Sequence, residues 1–192
     1  MGREENIQVF EDTKQKCRSD SRLKQTIAEA NAAQRLILEK DEVTWKPARR
    51  YLHPAKISVS RKRTLEAASA YIDKKVCVLN FASATNPGGG VTRGSSAQEE
   101  AICRCSSLYF NLTEKRMWEG FYAPHRARKN PLHNDDCIYT PGVVVFKTDT
   151  ATPQALPPEE WYTVNVLTCA APNLRERPGN RMDDGDGARS VQ

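Results

Sequence analysis

The stretch NPGGGVTRGSSAQEE, residues 86–100, sets three consecutive glycines, Gly88, Gly89 and Gly90, ahead of Gln98 and the adjacent carboxylates Glu99 and Glu100. Neighbouring residues on a helix point about 100° apart, so the two acids cannot face each other across one bond. They must do different jobs. One can accept hydrogen bonds from sugar hydroxyls while the other protonates a leaving oxygen. Ordinary glycosidases set two carboxylates across the scissile bond, whereas this pair would lean on a single acid assisted by its substrate. A general acid needs a raised pKa, which a helix N-terminus opposes and burial favours. Pro87 biases Asn86 toward an extended backbone, and the glycines offer N–H groups without side-chain obstruction, a surface suited to an anionic or sugar ligand. The spacing matches neither GxxxxGK[ST] nor GxGxxG, which disfavours a P-loop and a dinucleotide fingerprint. The same residues also fit a plainer reading, a flexible connection followed by acids that complement a helix dipole.

Positioning these groups requires a strand before the glycines and a helix after them. KVCVLNFA (75–82) is almost continuously apolar and predicts a strand in the middle of a sheet covered on both faces. AQEEAICRCSSLYFNLTEK (97–115) predicts one helix. KISVS (56–60) predicts a further strand and TLEAASAYIDK (64–74) a helix, which together with the 75–82 strand would form a crossover unit. Val143 to Phe146 and Tyr162 to Thr168 predict two more strands. Residues 20–40 predict an amphipathic helix capped by Ser19 or Asp20, followed by a proline-containing connection. No strong period marks residues 113–135. The implied organisation is an N-terminal helical extension (1–50), an α/β domain (51–175) and a disordered polar tail (176–192).

The 192 residues carry 29 basic and 24 acidic side chains, a net charge of +5. RKR (61–63) and HRARK (125–129) are the densest basic runs. They read as solvated faces, so no specific nucleic-acid binding is expected. No apolar run approaches the ~20 residues of a membrane helix, and the acidic, polar start does not resemble a signal peptide. A cytoplasmic monomer with reduced cysteines is expected. Cys77 and Cys169 lie in apolar runs and should be buried, whereas Cys103 and Cys105 should diverge on their helix without clamping a metal.

Residues 79–112, LNFASATNPGGGVTRGSSAQEEAICRCSSLYFNL, resemble the signature of microbial-type poly(ADP-ribose) glycohydrolases, in which GGG is followed after a short gap by QEE. IYTPGVVVFK (138–147) and VNVLTCAAPNLR (164–175) are similar to later strands of that family. The resemblance implies a macrodomain-like mixed sheet flanked by helices and hydrolysis of ribose–ribose O-glycosidic bonds in poly(ADP-ribose) or an ADP-ribosylated protein, with no cofactor and no metal. It further implies Glu100 as the catalytic acid and Glu99 as the holder of ribose hydroxyls. Asn86, Gly88, Gly89 and Gly90 would shape the ligand loop, with Gln98 positioning the acids. The family's later strand and second glycine-rich diphosphate loop have no counterpart here, since Gly185 and Gly187 sit among acids. A C-terminally truncated member lacking strands is therefore expected. An ADP-ribose-binding module without turnover and an inactive fragment stand as alternatives.

Overall fold

The computed structural model describes residues 1–41 and 53–172. The chain opens with helix α1 (Arg3–Ser19), which sequence reading passed over. Glu4 and Glu5 occupy its first turn and Lys16 and Arg18 its last, the charge order that complements the helix dipole. Its buried stripe is Asn6, Phe10, Thr13 and Cys17, half of it polar, which explains why hydrophobic periodicity missed it. Helix α2 (Ser21–Ala33) begins as expected at Asp20, whose Oδ1 accepts from the Arg22 and Leu23 amides at 2.9 and 3.1 Å. It ends earlier than expected. Gln34 turns the backbone to extended geometry, and its Nε2 donates to Asn111 O and Thr140 Oγ1. Residues Arg35–Ile37 then form strand β1.

Helix α3 (Thr64–Ala68) is shorter than expected, and KISVS ahead of it is exposed and not a strand. The anticipated crossover unit is therefore absent. Strand β2 (Cys77–Ala82) pairs instead in parallel with β4 (Tyr162–Ala170), and β4 pairs antiparallel with β3 (Cys137–Val145). With β1 antiparallel to β3, the order β1-β3-β4-β2 makes a mixed sheet. Among the described residues β2 is an end strand, not a central one. Val78, Asn80 and Ala82 face inward while Leu79 and Phe81 are 41% and 59% exposed. The expected burial of two cysteines fails for the same reason: Cys77 is exposed on the open face and Cys169 only half-buried opposite Cys137.

The helix predicted over 97–115 divides into α4 (Gln98–Cys105) and α5 (Leu108–Leu112). The break serves the end of β3: Ser107 N donates to Val144 O, Val144 N to Ser107 Oγ, and Phe146 N to Cys105 O. Helix α6 (Lys115–Met117) then runs through a π-helical turn (Trp118–Tyr122) into α7 (Ala123–Arg128), a segment without a readable period. Helices flank the sheet, as the fold expectation had it. The connection at 42–52 and the tail after 172 lie outside the described residues. No helix among the described residues is long and apolar enough to cross a membrane.

A main core joins these layers, beside a smaller cluster of Cys17, Leu23, Val144 and Phe146. Phe10 of α1 sits in the main core with Leu65, Ile102, Leu108, Phe121 and Val166, and its ring meets Tyr109 edge-on at 4.9 Å. The N-terminal helix is thus packed into the body that carries β2 and α4. Phe10→Ala should lower unfolding free energy by about 3–5 kcal/mol in urea titration, the usual cost of an aromatic cavity; a change within ~0.5 kcal/mol would show α1 to be a dispensable attachment.

Candidate active site

Strand β2 delivers the chain into the glycine loop, and α4 brings the acids back beneath it. Ser83 shapes the entry, its Oγ accepting from the amides of Thr85 and Asn86 at 3.3 and 3.1 Å. Gly88 and Gly89 then take left-handed backbone angles (φ +68° and +59°) that other L-residues rarely adopt. Space demands glycine as well. A Cβ on Gly88 would stand 2.8 Å from the Tyr109 ring, and one on Gly89 would stand 2.6 Å from Glu100 Oε1 and 2.9 Å from Glu99 Oε2. The loop backbone is thus pressed against both carboxylates.

A backbone amide holds each acid. Ser83 N donates to Glu99 Oε2 at 2.8 Å, and Gly90 N donates to Glu100 Oε1 at 2.8 Å. Glu99 and Glu100 are 3% and 7% exposed, and each keeps a second oxygen, Glu99 Oε1 and Glu100 Oε2, buried without a protein partner. Buried carboxylate oxygens rarely go unpaired, so these two point to a ligand's hydroxyls or to water. Both acids line a cavity of about 860 Å³, together with Asn86, Gly89 and Gly90. That volume suits a ligand of nucleotide size. Burial pushes the Glu99 carboxyl up to about 8, the Ser83 amide opposing the shift and the neighbouring Glu100 adding to it. Glu99 is thereby poised to carry a proton near neutral pH.

Two of the sequence-singled residues lie behind the cavity wall. Gly88 packs on Tyr109. Gln98 turns to strand β2, where its Oε1 accepts from Phe81 N at 2.8 Å and its Nε2 donates to Leu79 O and Thr64 Oγ1 at 2.7 and 3.1 Å. It fixes the start of α4, and hence the acids, against the strand. Asn86 does line the cavity, its Oδ1 accepting from Arg126 Nη2 at 2.9 Å while that guanidinium lies over the Trp118 ring. Sequence reading treated the basic run around Arg126 as solvated and missed this brace. It also missed Arg3, Asn6 and Arg93, which reach the cavity from α1 and from the far end of the glycine loop. Asn6 Nδ2 donates to Gly94 O at 3.0 Å, so α1 buttresses the loop directly. His133, in a left-handed conformation at φ +62°, completes the rim.

Residues 4–148 match the family described as the microbial-type PARG catalytic domain. The chain belongs to this family. Among solved structures it is similar to the poly(ADP-ribose) glycohydrolase of Thermomonospora curvata, with 34% identity and a TM-score of 0.69 over 88% of this chain and 65% of that one. The same enzyme bound to the inhibitor ADP-HPD matches at 31% identity and a TM-score of 0.72 over 97% of this chain and 69% of that one. The Deinococcus radiodurans poly(ADP-ribose) glycohydrolase in complex with ADP-ribose matches at 32% identity and a TM-score of 0.62, over 77% of this chain and 58% of that one. This PARG-family chain therefore spans about two thirds of the length of the Thermomonospora relative. Curated proteins return no match.

The protonation of Glu99 in this cavity makes stability depend on pH. The folded carboxyl titrates at about 8 against an ordinary value of 4.5. Between those values the unfolded chain ionises and the folded one holds its proton, so stability falls as pH rises through the interval and levels off above it. Glu99→Gln, neutral throughout, should escape this loss. Thermal melts from pH 5 to 9 should show its advantage over the parent growing toward pH 8, to the order of a few kcal/mol; parallel melting curves would rule out the buried proton.

Proposed function

We propose that this chain hydrolyses ribose–ribose O-glycosidic bonds of poly(ADP-ribose), free or attached to protein, and releases ADP-ribose. The observation that carries the reading is the pair of buried carboxylates, each fixed by a backbone amide and each with one unpartnered oxygen beside the same cavity. The relatives support it, since the Thermomonospora curvata and Deinococcus radiodurans proteins carry the glycohydrolase name and bind ADP-HPD and ADP-ribose. Arg3 and Arg93 on the cavity wall suit a ligand bearing a diphosphate.

In the proposed reaction Glu100 gives its proton to the bridging ribose oxygen as the C–O bond to the anomeric carbon breaks. The anomeric centre becomes oxocarbenium-like, stabilised by the substrate's own diphosphate. Water then adds to that carbon, and the Glu100 carboxylate takes the water's proton, restoring the acid. Glu99 holds the ribose hydroxyls beside the scissile bond, Asn86, Gly89 and Gly90 form the loop around the distal ribose, and Gly88 and Gln98 support that loop and the acids from behind. A second reading exchanges the acids. It is favoured by the raised pKa of Glu99, which keeps a transferable proton on that residue at neutral pH.

Glu100→Gln should reduce release of ADP-ribose from polymer by roughly 10²–10⁴-fold with ADP-ribose affinity kept. Glu99→Gln should weaken that affinity by roughly tenfold, as expected for lost hydrogen bonds to hydroxyls. Loss of turnover with unchanged affinity in Glu99→Gln alone would assign the acid role to Glu99. Calorimetric binding of ADP-ribose by a parent chain that cleaves no polymer would leave a binding module and remove the enzyme reading. Gly89→Ala, with its Cβ driven onto both carboxylates and its backbone strained, should lose both binding and turnover; a near-parental Gly89→Ala would remove the loop from the site.

A further inference from the structure

Arg104 is a buried cation that Glu100 steadies only from beyond ion-pair distance. It is 2% exposed, its Nη1 donates to Ser95 O at 2.5 Å, and its Nε has no partner. Among the described residues no carboxylate lies within ion-pair distance of it. Glu100 stands one helical turn earlier, beyond that distance. Buried charges are ordinarily paired, because desolvation without compensation is severe.

Arg104 lines a cavity of about 220 Å³ with Arg63, Asp149, Thr150, Asn6 and Ser96. Its one carboxylate is already engaged: Asp149 Oδ1 accepts from Arg63 Nε at 2.7 Å and Oδ2 from Leu65 N at 3.0 Å. Two guanidinium groups against one carboxylate leave the cavity with surplus positive charge. Asn6 and Ser96 also line the 860 Å³ cavity, so the two spaces adjoin along the segment that leads into α4. That volume, below the ~300 Å³ at which whole-ligand pockets begin, accommodates a phosphate group with room to spare. Guanidinium forks match phosphate oxygens in geometry as well as charge.

We propose that Arg104 and Arg63 form a second, phosphate-binding pocket beside the candidate active site, and that it takes a phosphate of the ADP-ribose unit adjoining the one released. This rests on the glycohydrolase reading for the identity of the polymer, and on the cavity alone for the phosphate. The pocket would make the chain prefer polymer over a single ADP-ribose unit, the second unit adding charge-assisted contacts that a monomer lacks.

The test uses the full chain as Glu100→Gln, so that polymer fragments survive. Inorganic phosphate is titrated in the presence of saturating ADP-ribose while the Arg104 Nε–H resonance is followed. A saturable shift of that resonance is expected, weakened roughly tenfold by Arg63→Gln, a change at a partly exposed side chain that spares the buried Arg104. An unmoved resonance, or a shift that ADP-ribose abolishes, overturns the pocket. Calorimetry then compares ADP-ribose with a fragment of two ADP-ribose units. The fragment should bind roughly tenfold more tightly, an advantage that Arg63→Gln removes without altering ADP-ribose affinity. Equal affinities beside a shifted resonance overturn the polymer assignment, because the pocket then takes free phosphate only. Absence of turnover in the parent chain leaves both binding readouts in place, so failure of the glycohydrolase reading is told apart from failure of the pocket.

Discussion

Two backbone amides, those of Ser83 and Gly90, decide what the neighbouring acids can do. Consecutive side chains at the start of a helix diverge, and left alone each would find its own water. Here the strand exit reaches one carboxylate and the glycine loop reaches the other, so both become part of one cavity while one oxygen of each stays unengaged. The arrangement needs a backbone that approaches closely from above, which only residues without Cβ permit at Gly89. It also needs burial, which raises the Glu99 pKa against the pull of the amide and the helix terminus.

That loop is supported from outside its own stretch of sequence. Tyr109 packs beneath Gly88 and is itself met edge-on by Phe10 of α1. Asn6 holds Gly94 O, Arg104 holds Ser95 O, and Thr13 Oγ1 takes Arg104 O as its acceptor at 2.5 Å. The N-terminal helix therefore acts on the acids through three contacts: Phe10 under the glycines, Asn6 at their far end and Thr13 on the α4 backbone at Arg104. Arg126, stacked over Trp118, braces the near end through Asn86.

Much of the site was legible because its chemistry is local: GGG and QEE lie close together in sequence, and the strand before and helix after them follow from apolar patterning. The two later strands were legible for the same reason, their β-branched runs being bounded by proline and glycine. What escaped depends on partners distant in sequence. Helix α1 was hidden because half its buried stripe is polar, Asn6 and Thr13 being satisfied by Gly94 and Arg104. The break at Ser106 and Ser107 serves hydrogen bonds with β3 and carries no proline or glycine signal. Strand β2 was placed centrally on hydropathy alone, which cannot tell a strand covered on both faces from one whose Leu79 and Phe81 stay exposed. Arg126 looked like one more surface cation.

Gln98 gives that exposed strand an unusual property. By taking Phe81 N and Leu79 O, its amide imitates the hydrogen-bond pattern of a neighbouring strand over the middle of the outer edge of β2. Any further strand that joins there must evict the Gln98 side chain, and eviction unfastens the first turn of α4 from the sheet. Edge protection and acid placement are thus a single latch: the sheet cannot grow over Leu79–Phe81 without loosening the residues that hold Glu99 and Glu100 in register.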